Sequence, residues 1–188
     1  MNGVPEPELR AGLLRRCEIE QDARFAYIRA EERGEKPDWV PADVIDKDNL
    51  AFLIEVIERH GWLGSDLVGE DGASACWLIV QHAPSEYQDR WLPLMEQAVA
   101  DGLAKPSELV YLQDRVNMRH NRRQTHGSQS WGVEGKAGLW PVTDPANLNA
   151  RRAEVGLFPL EDDVIADAWT ADQLRAQGRQ LAQDDADA

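Results

Sequence analysis

The chain has 188 residues, of which 43% are hydrophobic, with a formal net charge of -14 and a pI near 4.6. That length supports one domain with a real core, and the charge argues against a protein built to grip nucleic acid or an anionic membrane, because both would repel it at long range. Only Cys17 and Cys76 are present, too few for a disulfide framework or a cysteine-based zinc site.

No stretch approaches the roughly 18 apolar residues of a membrane span. The start, Met1-Asn2-Gly3-Val4-Pro5-Glu6, lacks the basic flank and apolar run of a secretory signal. A protein of the reducing cytoplasm, without nucleic-acid or membrane partners, is the expected setting.

From Pro7 to about Glu32, Leu9, Leu13, Cys17, Ala23 and Tyr27 or Ile28 recur among many charges, which predicts an amphipathic helix. Gly34 to Pro41 breaks it. A second helix, about Ala42 to His60, carries Leu50, Leu53, Ile54 and Ile57, and Gly61 stands where a left-handed C-cap residue belongs. The glycine-punctuated stretch Gly61 to Gly72 reads as an ordered loop, and the apolar run Ala73 to Ala83 as a buried helix.

Pro84-Ser85 opens a further helix, Glu86 to about Asp101, with Trp91, Leu94, Met95, Ala98 and Val99 as its inner stripe. Lys105-Pro106-Ser107 starts the next, Glu108 to about His120. Gln124 to Trp131 and Gly138 to Val142 then flank a glycine-rich turn and predict a small hairpin. Asp144-Pro145 opens a short helix ending near Gly156, and Val164, Ile165, Ala168 and Trp169 follow at helical spacing.

The expected fold is mainly α, a compact helical bundle with one small β-hairpin. It reads as a single helical domain over residues 1–170, with an acidic and flexible C-terminal tail over 171–188.

Two histidines at helix ends, in Glu58-Arg59-His60-Gly61-Trp62 and Val80-Gln81-His82-Ala83-Pro84, are the best handle on chemistry, since imidazole titrates near neutral pH. At about 100° per residue, Asp46, Asn49, Leu53, Val56 and His60 share a sector of roughly 80°. Asp46 and Asn49 then line a pocket floor with His60 at its end, or they are solvated first-turn residues with His60 complementing the helix dipole. His82 sits in the most apolar segment of the chain, where a buried imidazole needs a partner.

On the fifth helix Tyr111, Asp114, Arg115 and Met118 share a face. Asp114 and Arg115 read as an imidazole-orienting carboxylate and an anion-binding guanidinium, or as a structural ion pair. Arg115, Arg119, His120, Arg122 and Arg123 form a basic cluster that suits an anionic group or a helix C-terminus. The loop Gln124-Thr125-His126-Gly127-Ser128-Gln129 has the small polar groups of a substrate-facing segment, which a hairpin turn also requires. Phosphate-loop, Gly-x-Ser-x-Gly, His-Glu-x-x-His and dinucleotide motifs are absent. The seven tryptophans read mostly as core and loop anchors, with an aromatic cage for a cation as the other use.

Together, Asp46-x-x-Asn49, His60-Gly61-Trp62, Val68-Gly69-Glu70-Asp71-Gly72-Ala73, Gln81-His82, Asp114-Arg115, Gly127-Ser128-Gln129 and Arg151-Arg152-Ala153-Glu154-Val155-Gly156-Leu157 resemble a bacterial family catalogued only as a domain of unknown function. The likeness spans roughly Gln21 to Leu160 and implies a shared site, but no reaction or cofactor. The chain departs from the family pattern at His126, where the family tends to place tyrosine, and in a longer tail after Leu160.

The leading expectation is a small enzyme doing acid–base chemistry (hydrolysis, elimination or cyclisation) on a small polar or peptide-like substrate. His60 and His82 would be the acid–base pair, with Asp114 orienting an imidazole. Arg115 would hold an anionic group, Asp46 would line the pocket, and Asn49 and Gln129 would bond a carbonyl. The alternatives are a metal enzyme using His60, His82 and Asp46 or Asp114, and an acidic helical module that binds a basic partner.

Overall fold

The computed structural model describes residues 4–37, 40–133 and 136–182. Part of the predicted break at Gly34 to Pro41, the tip of the hairpin and the last six residues of the predicted tail lie outside these. The fold is mainly α: eight helices among the described residues and one two-stranded antiparallel sheet. By internal packing the chain divides into two compact units, Met1–Ala104 and Lys105–Ala188.

In the first unit, α1 (Pro7–Glu32), α2 (Val40–His60), α3 (Ser65–Val80) and α4 (Ser85–Ala100) follow one another. The helical periodicity of the sequence places the core: Leu13 on α1, Leu53, Val56 and Ile57 on α2, Cys76, Ile79 and Val80 on α3, and Trp91 and Met95 on α4 are buried. Each such side chain contributes about 1.5–3 kcal/mol by leaving water. Gly61, at φ 75°, ends α2 in the left-handed conformation expected of it.

Helix α3 begins eight residues earlier than expected. The glycine spacing predicts an ordered loop from Gly61 to Gly72, but within α3 only Gly69 departs from helical backbone, with φ 74° and ψ 165°, so the helix is kinked there rather than absent. Gly72 is needed for close packing, since a Cβ there would lie 2.9 Å from Cβ of Val68. Helix α1 is tied across this kink by Arg10, whose Nε donates to Asp71 Oδ1 at 2.8 Å.

The inner stripe of α4 also differs by one position. Leu94 is 38% exposed, while Gln88 is fully buried and its Nε2 donates to the carbonyls of Val80 and Gln81 at 3.2 and 2.8 Å. A buried carboxamide here adds a second donor at Val80 O, which also accepts the Ala83 N–H, and supplies one to Gln81 O just past the end of α3. It thereby fixes the Gln81-His82 turn.

The second unit contains α5 (Pro106–Arg119), β1 (Ser130–Val133), β2 (Lys136–Leu139), a 3-10 turn (Pro145–Asn147), α6 (Leu148–Glu154), α7 (Asp162–Ala166) and α8 (Ala171–Ala176). The hairpin pairs Ser130 with Leu139, Trp131 with Gly138 and Gly132 with Ala137. Glycine at 138 admits the Trp169 ring, whose atoms lie 3.3 Å from where a Cβ would stand.

Two apolar clusters hold the unit. One joins Leu139, Val142 and Leu148 with Leu160, Ile165 and Ala168, and the other joins Trp140, Trp169 and Leu174 with Met118, Trp131, Val133 and Leu181. The acidic stretch read as tail from residue 171 therefore begins as a helix. Thr170 and Gln173 form a reciprocal capping box, and Leu174, the one large apolar residue of α8, is fully buried. Local composition hides a single anchor of this kind.

Candidate functional site

Helix α1 carries Arg16, Glu20 and Arg24 at four-residue spacing, which stacks them on one face. Against them α2 presents Asp46, Asp48 and Asn49, and the turn after α3 presents His82. Glu20 is only 1% exposed, and its Oε1 lies 3.2 Å from His82 Nε2 and accepts a hydrogen bond from Arg24 Nε. Its Oε2 accepts from Gln21 Nε2 at 2.7 Å. Arg24 Nη2 donates to both oxygens of Asp46, at 2.7 and 2.8 Å.

A buried carboxylate is costly unless paired and hydrogen-bonded, and Glu20 is both. Burial works against the charge of Arg24, but its hydrogen bonds to Glu20 and Asp46 outweigh that and hold its pKa above the ordinary value. The His82 side chain is 26% exposed, so one imidazole edge meets the buried carboxylate while part of the ring stays accessible. Cys17 is beside this cluster in chain position, but burial, reinforced by the charge of Glu20, raises its pKa and keeps it a thiol.

Asn49 is 2% exposed and accepts a hydrogen bond from Arg16 Nη1 at 3.1 Å, leaving its buried Nδ2 without a hydrogen-bond partner. Arg16 in turn reaches Asp48 at 2.5 Å and lies 4.4 Å from the centre of the Phe52 ring. Asp46 and Asn49, which helical spacing puts on one face of α2, both meet side chains of α1. The sequence reading is less complete on α1. It missed Glu20, Arg16 and Arg24, whose signal was the four-residue charge spacing inside a helix otherwise read as solvated between its apolar positions.

His60 ends α2 exposed to solvent, in the last turn with Arg59, as a helix-dipole partner would be. His82 has Glu20 as its carboxylate. Among the described residues no three His, Cys, Asp or Glu side chains gather as a metal site requires.

In the second unit, Asp114 on α5 is fully buried, and its hydrogen-bond partners are backbone N–H groups. Its oxygens accept from the backbone N–H groups of Thr125 at 2.7 Å, His126 at 3.1 and 3.2 Å and Ser128 at 3.1 Å. The loop carbonyls are held from the opposite set: Arg151 Nε donates to Thr125 O at 3.0 Å, and Arg152 Nη1 to His126 O and Gly127 O at 2.6 and 3.2 Å. Asp114 and the pair Arg151 and Arg152 are therefore two halves of one clamp on residues 125–128, and Arg115 lies part-buried on α5.

Gln129 is also structural in its contacts. Its Nε2 donates to Ser128 Oγ and Tyr111 O at 3.1 and 3.4 Å, and its backbone N–H donates to the buried Gln124 Oε1 at 2.8 Å. Gln124 Nε2 completes the brace with bonds to Gln129 O and Trp140 O. The clamped loop presents His126, whose Nδ1 is buried without a partner. Desolvation lowers the His126 pKa, and Arg151 and Arg152 add to this against the opposing charges of Asp114 and Glu154. His126 is thus held as a neutral imidazole.

Among the described residues, no helix is long and apolar enough to cross a membrane, and Cys17 and Cys76 are free thiols. No curated protein and no solved structure matches the chain. A family model does match, over residues 7–172, and the region it covers contains both the Glu20–His82 cluster and the Asp114 clamp. The chain accordingly belongs to the family of unknown function DUF6624.

Proposed function

We propose that this protein is a small enzyme that performs acid–base chemistry, of the hydrolysis, elimination or cyclisation type, on a small polar or peptide-like substrate. The observation that carries the reading is the contact of His82 Nε2 with the buried Glu20 carboxylate at 3.2 Å. A carboxylate in that position accepts a hydrogen bond from Nε2–H, favours the ring tautomer protonated there, and stabilises the imidazolium formed when the ring takes a second proton. Arg24 bridges Glu20 and Asp46, and its guanidinium supplies the positive charge that pairs the buried Glu20 carboxylate.

His82 is the proton-transfer group in this scheme and Glu20 its orienting partner. The scheme assigns no role to His60 or Asp114. Two free thiols and the acidic surface suit an enzyme of a reducing cytoplasm.

The test is a screen of the purified protein against activated esters, amides, lactams and phosphoesters, run beside His82→Ala and Glu20→Gln. Turnover should fall by about 10²–10⁴-fold in His82→Ala with the helical circular dichroism unchanged. Glu20→Gln should lose a smaller part of it. Turnover equal to wild type in both variants, or none across the panel, would refute the assignment.

A further inference from the structure

The C-terminal segment beyond the family match, which ends at residue 172, returns onto the hairpin and places a cation among tryptophans. The Arg179 guanidinium carbon lies 4.9 Å from the centre of the Trp140 ring and 5.5 Å from that of Trp131. These two indoles stand at 89° to one another, and Trp169 backs Trp131 at 4.9 Å. A guanidinium in the angle between two indole faces is attracted by both ring quadrupoles.

The slot has a polar wall as well. Arg179 Nε donates to Asn121 Oδ1 at 3.1 Å, and Ala182 N–H donates to Asn121 O at 2.9 Å. Asn121 presents both acceptors from a left-handed backbone, φ 55°, which a non-glycine residue adopts at a cost. Trp140 Nε1 donates to Arg122 O, and Trp169, which backs the Trp131 ring, donates from Nε1 to Trp131 O, so both of these indoles are held by bonds that do not involve the cation.

We propose that the Trp131–Trp140–Asn121 slot is a binding site for a guanidinium group presented from outside the chain, and that Arg179 is its tethered, exchangeable occupant. Every wall of the slot lies within the family-matched region, whereas the occupant lies beyond it. Arg179 is only part-buried and hangs from the fully buried Leu174, whose carbonyl accepts its backbone N–H. The side chain can therefore leave while its anchor stays. Asn121 Oδ1 selects a guanidinium, which donates hydrogen bonds, over a quaternary ammonium, which cannot. The net charge of -14 draws cationic ligands toward the protein.

The probes are ethylguanidinium and N-acetyl-arginine N-methylamide, with tetramethylammonium as control, titrated into the full chain while the indole N–H resonances of Trp131 and Trp140 are followed by NMR. In Arg179→Ala both guanidinium probes should shift these resonances saturably, at about tenfold lower concentration than in wild type, where the tethered guanidinium competes at millimolar effective concentration. Tighter binding of the peptide-like probe assigns the site to an arginine of a partner protein, and equal binding of the two assigns it to a free guanidino compound. In wild type, saturation should also speed hydrogen exchange at the Ala182 amide, because the strap loosens. A folded Arg179→Ala variant without saturable indole shifts, or one that binds tetramethylammonium as well as ethylguanidinium, overturns the proposal. If that variant does not fold, wild type decides: indole shifts with faster Ala182 exchange support the site, and their absence overturns it.

Discussion

The Asp114 clamp makes the sharpest demand on stability. Replacing Asp114 by alanine removes the acceptor for three backbone donors, those of Thr125, His126 and Ser128, in a place with no solvent access at the carboxylate. Each buried donor left unpaired costs about 1–3 kcal/mol, and bonds to a charged acceptor lie toward the upper end. Relief of the carboxylate's own desolvation and partial opening of the loop offset some of this, leaving an expected loss of about 4 kcal/mol for Lys105–Ala188. Asp114→Asn keeps one acceptor oxygen without its charge and should lose about 2 kcal/mol. Urea unfolding followed by tryptophan fluorescence reads the loss, and amide exchange at Thr125, His126 and Ser128 localises it. An Asp114→Ala loss below about 1 kcal/mol, or unchanged protection of those three amides, would show that the carboxylate does not hold the loop.

Because His126 is held neutral with its pKa below the ordinary 6.5, the fold binds fewer protons there than the unfolded chain. Its contribution is present above pH 6.5 and is lost as pH falls below that value toward the folded pKa; denaturation midpoints at pH 8 and pH 5.5 should differ more in wild type than in His126→Gln, and equal pH dependence would count against the buried neutral ring. Leu174→Ala should destabilise the hairpin unit by about 3 kcal/mol, as an emptied core position does, whereas a true tail residue would cost nothing measurable by urea unfolding. Gly69→Ala forces a side chain into φ 74°, ψ 165°, with its Cβ 3.1 Å from Val4 Cγ1, and should cost about 2 kcal/mol on thermal melting. A melting temperature matching wild type would mean that the kink relaxes without strain.

The helices of the first unit were legible because burying one face of a helix imposes a period that the chain must carry in its own order. Leu53, Val56 and Ile57 on α2, or Trp91 and Met95 on α4, follow from spacing alone, as does Gly61 at a helix end. Spacing also put Asn49 and Asp46 on the face that meets α1. The limit of this logic appears at Gln88 and Leu94, where a carboxamide displaces a leucine from the inside because the end of α3 needs a donor. No periodicity within α4 can report that need.

Charge, motif and local composition determined the family and the mainly α class, since these depend on residues near one another in sequence. Pairing was decided only by the tertiary structure. Whether Asp114 orients an imidazole or clamps a loop depends on which N–H groups arrive from eleven to fourteen residues away. The choice of Glu20 as the partner of His82 depends on α1 and the end of α3 meeting across some sixty residues of chain. A buried charge selects its partner by distance in space, and distance in space is the one quantity that helical periodicity does not encode.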